Sequence, residues 1–295
     1  MNSGKLNVDV AGSISDLQSM LKEFRLKQKI YKLFFRGKGL EFETYSDFTQ
    51  DEDASRIDWK ASLRAQKLLI KRYKEERDLK IMFVIDVGDN MIFGSTEKIK
   101  CEFITELVAA FSMVMLSEND QIGFVLFSDS IKHFVKYSGG EKQLQIFVDT
   151  LSRGETYGGL TNIDYALDFA IKTFDSSVSA VVLVSDFLRV SEETKKKLNL
   201  LANKFETIVI RVRDPLDITL PNIDGEVILE DAETHGQVIV NPSIAKKNYE
   251  INALQQGALV EDIFKKTNVD YLDLMTDKSF VIPLSIFLKE RLDNF

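Results

Sequence analysis

An internal disulfide is excluded at once, because Cys101 is the single cysteine in 295 residues. That scarcity fits a reducing compartment, and the thiol is expected to pack on a helix rather than act as a nucleophile. Histidine is nearly as rare: His133 and His235 are the two, and with Cys101 they offer no zinc-ligand spacing. Four prolines and fifteen glycines are too few for collagen or a long disordered linker. No apolar run approaches the roughly 18 residues that a bilayer-crossing helix needs. The longest relevant stretch, Val108 to Leu116, reads as the buried side of a helix. The opening MNSGKLNVDVAGSISD has no basic start followed by an apolar core. No secretory signal is therefore expected; a cytoplasmic protein is, with membrane recruitment through a partner left open. A complete phosphate-binding loop, a Gly-x-Ser-x-Gly elbow and paired zinc histidines are missing as well. A non-enzymatic protein is the expectation.

What is present suffices for a sizeable core: 44% of residues are hydrophobic and 28% charged. A net charge of -8 argues against generic nucleic-acid binding. The segment from Arg56 to Lys80, RIDWKASLRAQKLLIKRYKEERDLK, departs from that balance and is strongly basic. It reads either as a solvated amphipathic stretch or as a docking face for an acidic partner. On the second reading Arg56, Trp59, Lys60 and Arg64 are the interface candidates, although Trp59 serves equally well as a core residue.

Apolar positions at helical spacing, Leu17, Met20, Leu21, Phe24 and Leu26, predict a helix within residues 15 to 36. GLEFETYSDF over 39 to 48 alternates like a strand or extended arm. From Leu79 onward largely apolar runs take over: Ile81 to Ile85, Ile122 to Phe127, Ala180 to Val184 and, interrupted by Arg211, Thr207 to Val212. Such runs belong to strands covered on both faces of a largely parallel sheet. Helical stretches separate them, Ile131 to Tyr137 is expected to pair antiparallel with the second run, and Val269 to Leu274 forms a last strand before a last helix. The fold class is thus α/β, a three-layer sandwich around a mostly parallel central sheet. An appendage over 1–78 and a core over 79–295 are expected, with a small β-rich insertion near 216–242.

Ligands of open α/β sheets collect at the carboxyl ends of the strands. Asp86 ends the first run, Thr161 follows the glycine loop Tyr157-Gly158-Gly159, and Asp186 ends the third. Asn90 and Asp89 supply further oxygens. Two readings stand side by side. These oxygens could hold Mg²⁺ or another divalent cation, or the two aspartates could cap loops and helices by binding backbone amides. A divalent-metal phosphohydrolase built on Asp86, Asp89 and Asp186 is a weaker alternative.

The stretch Arg56-Ile57-Asp58-Trp59-Lys60, followed by Tyr73-Lys74-Glu75-Glu76 and the Asp86 strand, resembles domain of unknown function 58. That bacterial and archaeal family has a von Willebrand factor A-like core. Gly37-Lys38-Gly39-Leu40-Glu41-Phe42, Ser185-Asp186-Phe187, Arg213-Asp214-Pro215 and Val269-Asp270-Tyr271 to Pro283-Leu284 are similar to its other landmarks. The resemblance implies a metal loop of the Asp-x-Ser-x-Ser kind with a later threonine and aspartate, here Asp86, Thr161 and Asp186. Gly88 and Asn90 stand at the serine positions, so the set Asp86, Asn90, Thr161 and Asp186 is a degenerate one. Upstream, Asp51, Glu52 and Ser55 replace the family's usual glycine, aspartate and first arginine. The family's gene neighbours further imply a protein-binding adaptor or effector. It would work with a MoxR-like AAA-type ATPase in assembly, maturation or stress protection. The alternative is a metal-independent structural scaffold in a multiprotein or membrane-associated complex.

Overall fold

The computed structural model describes residues 4–23, 40–49, 57–75, 79–232 and 234–293. Its centre is a six-stranded sheet of β3 (Lys80–Asp86), β4 (Gln121–Phe127), β5 (Ile131–Ser138), β6 (Ala180–Ser185), β7 (Glu206–Arg213) and β10 (Asp270–Met275). Their spatial order is β10-β7-β6-β3-β4-β5, parallel throughout except for β5, which runs antiparallel to β4. Counted among themselves the strands read 3-2-1-4-5-6, the doubly wound order, with its switch point between β3 and β6.

Two apolar layers explain why these runs become central strands. Side chains alternate across a strand, so Ile81, Phe83 and Ile85 of β3 enter one core while Met82 and Val84 enter the other. The first core holds α1 (Val10–Glu23), α3 (Lys100–Leu116), α4 (Glu141–Leu151) and α8 (Val281–Asp293). The second holds α5 (Ile163–Thr173), α6 (Glu192–Lys204) and α7 (Pro242–Lys266). The α/β three-layer sandwich expected from sequence is therefore present. Helix α3 is buried nearly all round, as a helix apolar on every side must be.

The remaining elements flank this sheet. Leu17 and Leu21 carry α1 into the first core, and its entry is tied to α3 by Asn7 and Asp9 amides donating to Glu102 and Glu106. The helix starts earlier than the apolar spacing suggested, and Phe24 and Leu26 lie outside the described residues. Strands β1 (Leu40–Asp47) and β2 (Leu69–Glu75) form an antiparallel pair, with α2 (Trp59–Ala65) between them in sequence. Between β7 and α7 the chain forms a separate hairpin of β8 (Val227–Glu230) and β9 (Gln237–Val240).

Candidate functional site

Three loops meet at the carboxyl end of the sheet because their backbones are stitched together. Val87 N donates to Phe127 O at 2.8 Å and Gly158 N to Val87 O at 2.8 Å. Asp89 and Gly159 pair twice: Asp89 N reaches Gly159 O at 2.9 Å, and Gly159 N reaches Asp89 Oδ2 at 3.0 Å. Gly158 and Gly159 hold φ of +140° and +90°, which a side chain would resist. Asp89 thus spends its carboxylate on the glycine loop and does not turn toward Asp86.

Asp86, Asn90, Thr161 and Asp186 do come together. Asp86 is fully buried. Its Oδ1 accepts from Gly88 N and lies 2.9 Å from Thr161 Oγ1, while its Oδ2 accepts from Ser185 Oγ at 2.7 Å. Asn90 Nδ2 donates to Asp186 Oδ2 at 2.8 Å and approaches Asp86 Oδ2 at 3.4 Å. Asn90 Oδ1 faces Thr161 Oγ1 at 2.7 Å. That hydroxyl has one proton and two acceptors, so it is shared. The second oxygen of Asp186 accepts from Leu188 N at 3.1 Å. Burial, with the charge of Asp186 behind it, pushes the Asp86 carboxyl up to about 7, against the Gly88 amide and the Ser185 and Thr161 hydroxyls.

Sequence reasoning missed Lys100, the first residue of α3 and 1% exposed. Its Nζ lies 3.0 Å from Asp186 Oδ2 and 2.8 Å from Asp217 Oδ2. Burial disfavours the ammonium, but the two carboxylates outweigh it and raise its pKa. Asp217 belongs to a single 3₁₀ turn, Pro215–Asp217, that Asp214 caps. Asp214 also binds Ser95 Oγ at 2.5 Å and Thr276 Oγ1 at 3.0 Å. Asp186 of the Ser185-Asp186-Phe187 stretch, and Asp217 in the turn that Asp214 of the Arg213-Asp214-Pro215 stretch caps, therefore converge on one lysine. Phe187 itself sits at φ +54°, a strained conformation for an aromatic residue. Edge-on packing against Phe264 at 5.1 Å and a hydrogen bond from Gln256 Nε2 to Phe187 O hold it there.

Whether these residues suit a divalent ion can be judged from their donors. Mg²⁺ asks for six oxygens in near-octahedral array. All four carboxylate oxygens of Asp86 and Asp186 already accept hydrogen bonds from the chain. An amide nitrogen, not an oxygen, lies between them. Nor is there room for the missing serine: a Cβ on Gly88 would stand 2.3 Å from Thr161 Oγ1 and 2.6 Å from Asn90 Oδ1. Among the described residues, no group of three or more His, Cys, Asp or Glu side chains is arranged to hold a metal. The set does not fit a resident divalent cation.

The interface candidates lie elsewhere. Arg56 falls outside the described residues. Asp58 caps α2 by accepting from the Lys60 and Ala61 amides at 3.0 and 3.1 Å, and Ile57 bridges to Ile70 in the interior. Trp59 is 64% exposed and Leu63 80%; four residues apart, they share one face of α2. Lys60 and Arg64 are exposed beside them. Of the other reactive types, Cys101 is buried and its thiol is pushed up to about 12 by desolvation and then by Glu102. His133 lies on β5, and His235 sits in the β8–β9 turn beside Glu230.

Doubly wound strands, an antiparallel edge and a polar crevice at the switch point define a doubly wound α/β domain with a mostly parallel central sheet. Residues 45–258 match the family described as Protein of unknown function DUF58, and the chain belongs to that family. An uncharacterized protein of Mycobacterium tuberculosis H37Rv is 22% identical over 244 residues, covering 81% of this chain and 76% of that protein. Among solved structures, an aerotolerance-related membrane protein from Bacteroides fragilis aligns with a TM-score of 0.48 and 14% identity, over 74% of this chain and all of that one. The SpRpn10 VWA domain aligns with a TM-score of 0.40 and 12% identity, over 72% of this chain and 94% of that one.

Proposed function

We propose that the chain is a non-enzymatic adaptor or effector that docks a protein partner through the exposed face of α2. The observation that carries this reading is the pair Trp59 and Leu63, held out to solvent on one helical face with Lys60 and Arg64 exposed along one side of it. A tryptophan costs little entropy to immobilise and is the residue type that dominates interface energetics. Its neighbours supply the basic rim that an acidic surface would meet. The helix is anchored by the Asp58 cap, the Ile57–Ile70 bridge and buried Ser62, while Trp59 stays exposed.

The partner we assign is a MoxR-like AAA-type ATPase acting in assembly, maturation or stress protection, with ATP consumed by that partner. Membership of the family supports this choice. A cytoplasmic location and the division into an appendage over 1–78 and a core over 79–295 belong to the same reading. The test is binding of the purified chain to a purified MoxR-like ATPase from the same organism, followed by biolayer interferometry. Trp59→Ala with Leu63→Ala should weaken binding by tenfold or more while the melting temperature holds. Unchanged affinity in a folded double variant would remove α2 from the interface, and no affinity in the wild type would remove the partner.

A further inference from the structure

We propose that Lys100 is the resident cation of the crevice between β3 and β6. On this view the crevice is held together without a divalent ion. The inference stands independently of which protein binds α2.

Local rules argue against a lysine where Lys100 stands. The first turn of a helix carries partial positive charge, so a cation there is disfavoured. Burying an ammonium adds a desolvation cost. Lys100 accepts both penalties, being at the start of α3 and 1% exposed. Two carboxylates compensate it, from loops that follow two different strands: Asp186 at 3.0 Å after β6 and Asp217 at 2.8 Å after β7. Each is itself fixed by the backbone. Asp186 accepts from Leu188 N, and Asp217 accepts from Asp214 N at 2.8 Å. The Phe93 ring, 5.5 Å from Nζ, closes another side of the ammonium.

The rest of the crevice is arranged around that charge. Asn90 Nδ2 lies between Asp86 and Asp186, the place a bridging ion would need, and donates to Asp186 on the same Oδ2 that Lys100 engages. Turning the amide over would set Asn90 Oδ1 against a carboxylate and remove the acceptor that Thr161 meets, so the network fixes its orientation. Gly88 leaves no space for another oxygen ligand. An entering divalent ion would have to displace the amide and stand close to a buried ammonium. The lysine does the electrostatic work of an ion, joining the loops after β6 and β7 to the head of α3, and it cannot be chelated away.

The experiment is a Mn²⁺ titration of the full chain by calorimetry, beside melting curves in Mg²⁺ and in EDTA. The wild type is expected to show no saturable Mn²⁺ binding and no shift between Mg²⁺ and chelator. Lys100→Met leaves Asp186 and Asp217 facing each other. That variant should melt several degrees lower and recover part of the loss in Mn²⁺, and Asp217→Asn added to it should abolish the recovery. Saturable Mn²⁺ binding by the wild type that disappears in Asp86→Ala would overturn the proposal. So would a Lys100→Met variant that melts at the wild-type temperature. Should Lys100→Met fail to fold, the wild-type titration still decides the matter.

Discussion

At the scale of single residues, the crevice is governed by how few atoms separate its loops. Gly88 is extended, with φ of -65°, so flexibility is not what the position requires. Space is, since any Cβ collides with Thr161 and Asn90. Gly88→Ser should therefore destabilise the fold by about 1–3 kcal/mol, the usual range for overpacking, read from urea denaturation. A change below a few tenths would mean that the loops spread easily. Two carboxyls give the stability opposite slopes with pH. Asp86 is raised from 3.8 to about 7 in the folded chain, so the folded state holds its proton more tightly than the unfolded one. The stability it contributes is complete below the ordinary carboxylate range and is lost as pH rises through about 7. Asp214 is lowered: burial opposes its charge, but hydrogen bonds from Ser95, Leu216 and Thr276 prevail. Its contribution is present above the ordinary range and disappears as pH falls below it. A maximum on the mildly acidic side is expected in urea midpoints measured across pH, and Asp86→Asn should flatten the limb that approaches pH 7.

Among the elements, the edge strand β10 is joined to β7 by its backbone ladder, by Leu272 and Leu274 in the first core, and by one buried ion pair. Arg211 of β7 and Asp273 of β10 stand opposite each other in the parallel register. They form a two-pronged contact, Nε to Oδ1 at 2.5 Å and an outer guanidinium nitrogen to Oδ2 at 2.6 Å. Arg211 is buried, and Glu261 approaches it at 3.6 Å from α7. Removing Asp273 would leave a buried guanidinium with a weaker partner. Asp273→Ala is expected to cost about 3 kcal/mol, the low end for breaking a buried pair because Glu261 remains. The loss should be local, with faster amide exchange in β10 and α8 than in β3; equal protection in both places would refute the register argument. The β8–β9 hairpin is built differently. Ile228 and Ile239 pair across it and both remain exposed, so its two short strands are held by little more than their own ladder.

For the molecule as a whole, the charge distribution sets how a partner is approached. The net charge of -8 repels an acidic protein at long range, whereas the α2 face presents Lys60 and Arg64. Association through α2 should slow as salt is raised, since the Debye length falls to about 10 Å at 0.1 M and exposed charges are then screened. Lys60→Glu with Arg64→Glu should lower the association rate more than it raises the dissociation rate; the reverse would point to apolar contact alone.

How much of this was legible beforehand follows from the range of the forces involved. Alternation of apolar runs with helical spacing determined the sandwich, because a strand buried on both faces must be apolar along its length and the connection between parallel strands must be long. The convergence of Asp86, Asn90, Thr161 and Asp186 at the strand ends followed from that topology alone. Lys100 could not be read in advance. In sequence it is one of several lysines at the mouth of a helix, and its partners lie 86 and 117 positions away. Only the winding of β6 and β7 beside β3 brings Asp186 and Asp217 to within 3.0 Å of its ammonium. Trp59 was undecided for the same reason: amphipathic spacing allows either face of a short helix to turn inward. In the folded chain Ser62 is the buried residue of α2 and Trp59 faces solvent. Local pattern thus determined which segments form strands and helices, while the burial of charge and the exposure of an aromatic were decided by contacts that exist only once the sheet is assembled.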